Sequence, residues 1–379
     1  MNQNPTSQTS YEPGNYVTIN IGPSHPSMHG TLRIAAVTDG ETIVKADPEI
    51  GYLHRGVEKL GENLTYHQFI PITDRLNYCS AIPNNVSYEM AVEKLMGIEV
   101  PEKAQLIRVI MMELARIADH QVCIGILGVD LGAFTPFFYL IIQREEIYEI
   151  FEWFNGARLT NTFGRIGGVD ADLPDDFEQR WEELKPGVRK ANDETEKLLT
   201  HNRIWMDRTI GISAFSAEDA LNWGFTGPCL RACGVKRDLR IDEPCCMYDK
   251  FKFEVPVGKN GDVFDRYIVR MIEMEESLKI IDQAYKLYKE MPPDAPLMAR
   301  VPKVIKPPAG EVYSALESPN GELGFFVKSD GSANPYRIRI RPPCYMMFQA
   351  LPELAEGEMV ADLIACISSL NIIAGELDR

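Results

Sequence analysis

A chain of 379 residues, 45% hydrophobic and 25% charged, has enough apolar material for a large core and for one or two domains. Its formal charge of −16, with no Lys/Arg cluster to offset it, makes nucleic acid and anionic lipid surfaces poor direct partners. Eight cysteines in a sequence that opens with neither a basic start nor an apolar run read as reduced thiols rather than a disulfide framework.

Residues 1–15 are polar and read as a loose tail. The runs YVTINI (16–21), TLRIAAV (31–37) and 42–46 predict a small antiparallel meander, turned once at Asp39-Gly40 and once by IGPSHPSMHG. His25 and His29 have the four-residue spacing of a helix face. Pro26, however, disfavours helix at the residue before it, and Gly22, Pro23 and Gly30 punctuate the segment, so both histidines are expected on a hairpin tip.

From about 56 to 290 the pattern is mostly helical, and Tyr78 is expected on an apolar helix within it. A helix opening at Pro101 carries Leu106, Ile107, Ile110, Leu114, Ile117 and Ala118 at three-and-four spacing. Over roughly 30 residues it would run about 45 Å. Further helices are expected over 136–154, about 175–200 and about 262–290. EVYSALES and GELGFFVKS around Pro319-Asn320-Gly321 predict a hairpin, followed by the strand YRIRIR; a last helix near 356–369 precedes GELDR. The expected fold is α+β, a helical bundle with small antiparallel sheets from the two ends. It is read as a single domain over 16–379, with the meander at 16–46, the helical core at 56–290 and a β/α segment at 311–379.

Between Gln121 and Ile142 the only formally charged residue is Asp130. Gly128, Gly132 and Pro136 break this window into a helix end, a turn and a helix start, unlike the continuous apolar run of a membrane span. A carboxylate at a helix C-terminus opposes the helix dipole, and a lone buried one needs a partner. Two readings follow: it caps N–H groups of the following turn, or it holds a catalytic or ligand-binding side chain, a histidine foremost. Cys229-x-x-x-Cys233 and the adjacent Cys245-Cys246 lack the spacing of a zinc site and have no histidine nearby, so no metal is assigned.

The segments GPSHPSMHG, EIGYLHRGVEKL, DRLNYCS, RIGGV, NWGFTGPCLRACGVKRDLR, FDRYIVRMIEM, SDGSANPYR and GELDR follow one another along the chain. As an ordered set they resemble the quinone-binding D-subunit family of proton-pumping NADH:quinone oxidoreductase, respiratory complex I. More distantly the chain is similar to the nickel–iron hydrogenase large subunit, whose helical core the resemblance implies. The four metal-holding thiolates of a hydrogenase are absent here: the first site reads His54-Arg55-Gly56-Val57-Glu58 and the last reads GELDR.

The resemblance implies that His29 and Tyr78 hydrogen-bond the two carbonyls of a quinone headgroup and that Asp130 contacts the histidine. Reduction of a quinone by two electrons consumes two protons, so donors are needed at both oxygens; an imidazole can supply a proton near neutral pH and a phenol can donate throughout. His25 is expected to shape the loop and His54 to pack locally. Arg55 is implied to lie near the terminal iron–sulfur cluster of a neighbouring subunit. Where many members have a histidine beside that cluster, this chain has Thr160, which cannot titrate.

The implied substrate is menaquinone or ubiquinone, with no metal or flavin bound by this chain. The implied partners are the subunit carrying the terminal cluster, the adjacent peripheral-arm subunit and the membrane-arm subunit through which quinone enters. The implied location is peripheral, on the cytoplasmic side of a bacterial cell membrane. A ferredoxin-fed relative of this complex and a purely structural scaffold are the competing readings.

Overall fold

The computed structural model describes residues 16–379; the tail expected over 1–15 lies outside the described residues. Strands β1 (Tyr16–Ile21), β2 (Arg33–Asp39) and β3 (Thr42–Glu49) form the expected meander, antiparallel throughout, with an irregularity at Val37/Thr38. Alternation along β2 buries Ile34, Ala36 and Thr38. Ile34, with Met28 of the preceding loop, packs against Leu363, Ile367 and Leu370 of a helix near the C-terminus. The two ends of the chain therefore share one apolar cluster.

The centre is the long helix Glu102–Asp130, with Pro101 as its N-cap. It is buried on nearly every face, because the helices Phe134–Asn155, Val263–Glu290 and Val360–Leu370 and the helix Ala81–Met96 all pack on it. The helix Phe134–Asn155 starts two residues before the expected 136. Pro136 then sits in its first turn, where the missing N–H would have had no helical partner anyway. A further helix spans Phe177–Leu199. The C-terminal hairpin pairs Gly310–Ser318 with Gly321–Ser329 about Pro319-Asn320, and Arg337–Arg341 adds the third strand. The fold is α+β. No helix among the described residues is long and apolar enough to cross a membrane.

Three local expectations need correction. The 56–290 region is interrupted: Gly164–Arg165 and Gly168–Val169 of RIGGV pair as a tiny hairpin, which lacks the length to show a period of two. Tyr78 is not on a helix. It lies in the turn between the helices Tyr66–Thr73 and Ala81–Met96, where the Asn77 side-chain oxygen accepts the N–H groups of Cys79 and Ser80 and holds the chain in a turn before the second helix begins. GELDR, expected to follow the last helix, contributes to a short helix of its own, Ala374–Asp378.

The core also carries charge. Glu113, fully buried on the long helix, accepts from Arg116, Arg240, Tyr248 and Ser277. Beside it Arg231 donates to Glu273 at 2.9 Å and to Glu317 at 2.7 Å, and His120 meets Glu273 at 2.9 Å. Every one of these ions is out of water, so their mutual pairing is what makes their burial tolerable.

Candidate functional site

The loop between β1 and β2 closes on a single 3-10 turn, Pro26–Met28. His25 is extended and accepts the Ser27 N–H on Nδ1 at 3.3 Å, so it shapes the loop as expected. Buried Met28 anchors the turn. His29 follows in the left-handed region at φ 53°, a conformation that costs a non-glycine residue energy and that clusters at functional sites. Its Nε2 lies 2.7 Å from Asp130 Oδ2, and the two side chains are 14% and 8% exposed, so the contact is shielded from most screening by water.

Asp130 is the last residue of the long helix. The capping alternative is not what forms: the N–H groups of Leu131, Gly132 and Ala133 go to the carbonyls of Leu127, Val129 and Gly128. Asp130 instead accepts from the Ser368 hydroxyl on the helix Val360–Leu370, as well as pairing with His29. Two donors thus offset the unfavourable dipole at this helix end.

Tyr78 is half-buried, and burial pushes its phenol up to about 12, with the Arg55 guanidinium pulling the other way. The phenol is a hydrogen-bond donor at any physiological pH. Arg55 Nη2 donates to the Arg75 carbonyl at 2.8 Å, which ties the two segments together. Beneath the turn, buried Asp119 accepts from Asn77, Ser80 and Asn371. Asp74, also fully buried, has its carboxyl raised by burial and accepts from the Thr162 hydroxyl.

The C-terminal segment joins the two halves. A Cβ on Gly30 would lie 2.6 Å from that of Ala374, and a Cβ on Gly375 would collide with the Arg75 carbonyl oxygen. The histidine loop and the tyrosine turn therefore press on two successive residues. The next residue, Glu376, accepts the Cys344 N–H at 3.0 Å, and burial pushes its carboxyl up to about 7. Asp378 holds the N–H groups of Gly51 and Leu53, and its carbonyl meets His54 Nδ1 at 2.8 Å, the local packing expected of His54.

The structure thus brings His29 and Asp130 into contact and ties Arg55 to the Arg75 carbonyl of the segment that carries Tyr78; no hydrogen bond among the described residues joins Tyr78 to His29. A cavity of about 410 Å³ opens beside His54, Asp378 and Arg379, and one of about 370 Å³ beside Leu131 and Phe134; neither is lined by His29 or Tyr78. Ser368, Asp119, Ala374 and Gly375 were missed by sequence reasoning. Asp119 gave no signal of the kind that marks Asp130, because Glu113 and Arg116 stand close to it on the same helix and it is not a lone charge in an apolar window. Among the described residues no three His, Cys, Asp or Glu side chains converge as a metal site.

This arrangement defines a class: an α+β protein that gathers an imidazole backed by a carboxylate, and a phenol held neutral, where two loops meet the chain's C-terminal helix. Residues 130–379 match the family model described as "Respiratory-chain NADH dehydrogenase, 49 Kd subunit". The NADH-quinone oxidoreductase D subunit of Geotalea uraniireducens is 49% identical, over 96% of this chain and 98% of its own length. That of Carboxydothermus hydrogenoformans is 48% identical over the same shares. The C/D subunit of Bdellovibrio bacteriovorus is 49% identical over 96% of this chain and 69% of its own. The chain belongs to the 49 kDa, or D-subunit, family of respiratory-chain NADH dehydrogenases, as its ordered motifs predicted.

Proposed function

We propose that this chain is the quinone-binding subunit of a proton-translocating NADH:quinone oxidoreductase, folded as one domain over 16–379 and active only within the assembly. The observation that supports the reading is the packing of the His29 loop and the Tyr78 turn on the adjoining residues Ala374 and Gly375, the arrangement that two walls of one site would have. His29 serves one headgroup carbonyl and Tyr78 the other. Two electrons arrive from the terminal iron–sulfur cluster of a partner subunit, two protons are taken up at the two oxygens, and the quinone leaves as the quinol. Asp130, with Ser368, fixes the imidazole and offsets its charge when protonated.

The slot is completed by neighbours: the cluster-carrying subunit, the adjacent peripheral-arm subunit and the membrane-arm subunit that admits the quinone. The chain then sits peripherally on the cytoplasmic side of a bacterial cell membrane. A photoactivatable quinone analogue bound to the intact enzyme is expected to label peptides containing 22–32 or 74–80. Labelling confined to other segments, displaced equally by quinone, would overturn the assignment.

Arg55 is proposed to face the partner's cluster, where its permanent charge favours the reduced state. Thr160, half-exposed in the loop after Gly156, adds no titrating group there. Without a histidine at the position of Thr160 the cluster loses a proton-linked rise in potential while the fixed Arg55 charge remains, so its potential should be lower than in members with that histidine and nearly independent of pH, which suits a low-potential quinone such as menaquinone. Redox titration of the enzyme at several pH values checks this, and a steep pH slope would refute it.

A further inference from the structure

Asp119 takes no direct part in the site above, yet it lies under the Tyr78 turn. It is wholly buried on the long helix that ends at Asp130. Its Oδ2 accepts from Asn77 Nδ2 at 3.1 Å and from the Ser80 hydroxyl at 3.0 Å, and its Oδ1 accepts from Asn371 Nδ2 at 2.7 Å. Glu113 on the same helix meets two arginines, whereas every group that donates to Asp119 among the described residues is neutral. Taking an acid out of water with no cation beside it is costly, so its compensation comes from those three bonds.

The three donors belong to both halves of the site. Asn77 and Ser80 bracket Tyr78. Because a carboxylate only accepts, it turns the Asn77 amide with its nitrogen inward. The Asn77 oxygen is then left facing the N–H groups of Cys79 and Ser80, which it holds at 3.0 and 3.3 Å. Ser80 is the N-cap of the helix Ala81–Met96, but its side chain makes no capping bond; the hydroxyl goes to Asp119 instead, and the helix start forgoes the usual stabilisation. Asn371 is the C-cap of the helix Val360–Leu370, left-handed at φ 56°, and its N–H bonds the carbonyl of Ser368, whose hydroxyl holds Asp130. One carboxylate therefore ties the turn that carries the phenol to the helix end that backs the imidazole.

We infer that Asp119 is a positioning residue for quinone reduction, setting the place of Tyr78 relative to His29; the inference rests on the proposal that these two side chains serve the two headgroup carbonyls. The carbonyl oxygens of a quinone sit at opposite ends of a rigid ring, so the two donors must be held at one matching spacing. A misplacement of about 1 Å at such a site costs on the order of a hundredfold in rate. Wholly buried beneath the turn, Asp119 acts through Asn77 and Ser80 rather than by contact with the quinone.

The test assays the assembled enzyme with a short-chain quinone and, separately, with an artificial acceptor that draws electrons upstream. Asp119→Asn sets an amide N–H against that of Asn77 or Asn371, and kcat for quinone should fall roughly a hundredfold while the artificial acceptor is reduced as before. Asn77→Asp alone sets two carboxylates face to face and should be impaired too. The double variant Asp119→Asn/Asn77→Asp restores every bond: the new amide at 119 donates to the new carboxylate at 77 and to the Ser80 oxygen, and still accepts from Asn371. Most of the loss should then return. In a Tyr78→Phe background Asp119→Asn should cost little more, because the group it positions is gone. A full further loss in that background, no recovery in the double variant, or wild-type turnover in Asp119→Asn would overturn the inference. Unimpaired quinone reduction in Tyr78→Phe would instead overturn the reading of the site itself, which keeps the two failures apart. Ser80→Ala, which removes one of the three bonds, should show the same dependence on Tyr78 to a smaller degree and decides the matter where Asp119→Asn does not assemble.

Discussion

Replacing His29 by Ala is expected to lower quinone reduction by the assembled enzyme roughly 10²–10⁴-fold, the usual loss when a positioned proton donor is removed. NADH oxidation with an artificial acceptor that draws electrons upstream, and the yield of assembled enzyme, should be unchanged. The reason lies in the geometry: the histidine is on a loop tip whose fold is held by Met28, Pro26 and Gly30, and its own ring bonds only Asp130 among the described residues. Removing the ring leaves Asp130 one donor, the Ser368 hydroxyl, so the helix end keeps a partner. Tyr78→Phe tests the opposite wall. Because the phenol is pushed up to about 12, it is protonated across the working range, and the defect of Tyr78→Phe should not vary with pH below that value. Equal loss of both activities in either variant would favour the scaffold reading over a quinone site.

Glu113→Ala should produce the largest loss of stability, about 3–5 kcal/mol, the cost of stripping one partner from a buried ion cluster. The carboxylate is wholly buried and accepts from Arg116 and Arg240 at 3.2 Å, Tyr248 at 2.7 Å and Ser277 at 2.6 Å. Alanine leaves two guanidiniums facing a void. Burial raises the Glu113 carboxyl, but Arg116 and Arg240 outweigh it and bring it below its ordinary value. A group with a depressed native pKa contributes fully above the unfolded value of 4.5, and its contribution fades as pH falls through the native one. The gap between wild type and Glu113→Ala in denaturant titrations should therefore narrow below about pH 4.5. Glu113→Gln, which keeps the shape and two hydrogen-bond sites, should fall between them. Wild-type stability in Glu113→Ala would mean that the cluster is dispensable.

The positions of these groups are legible in the sequence to different degrees. Asp130 stands out because a single charge in an apolar window has few physical explanations, and the structure supplies the partner such a charge requires. Helix positions for the central bundle follow from three-and-four spacing, with ends off by a residue or two where a cap or a first-turn proline decides them. Tyr78 escapes this reading because its apolar neighbours look helical, while the Asn77 side chain, a strictly local competitor for backbone N–H groups, holds the segment in a turn. The buried arginines on the long helix escape it too, since a charged residue at helical spacing looks like a solvated face until its partners are known.

What the sequence determined alone was therefore periodic or ordered: the meander, the long helices, the C-terminal hairpin, and through its run of motifs the family. What tertiary structure decided was who meets whom. His29 and Asp130 are 101 residues apart and Asp130 and Ser368 are 238 apart, and the histidine loop and the tyrosine turn both press on the adjoining residues Ala374 and Gly375. Periodicity reports a face to bury but carries no address for the surface that buries it. That address is set by close packing of whole elements.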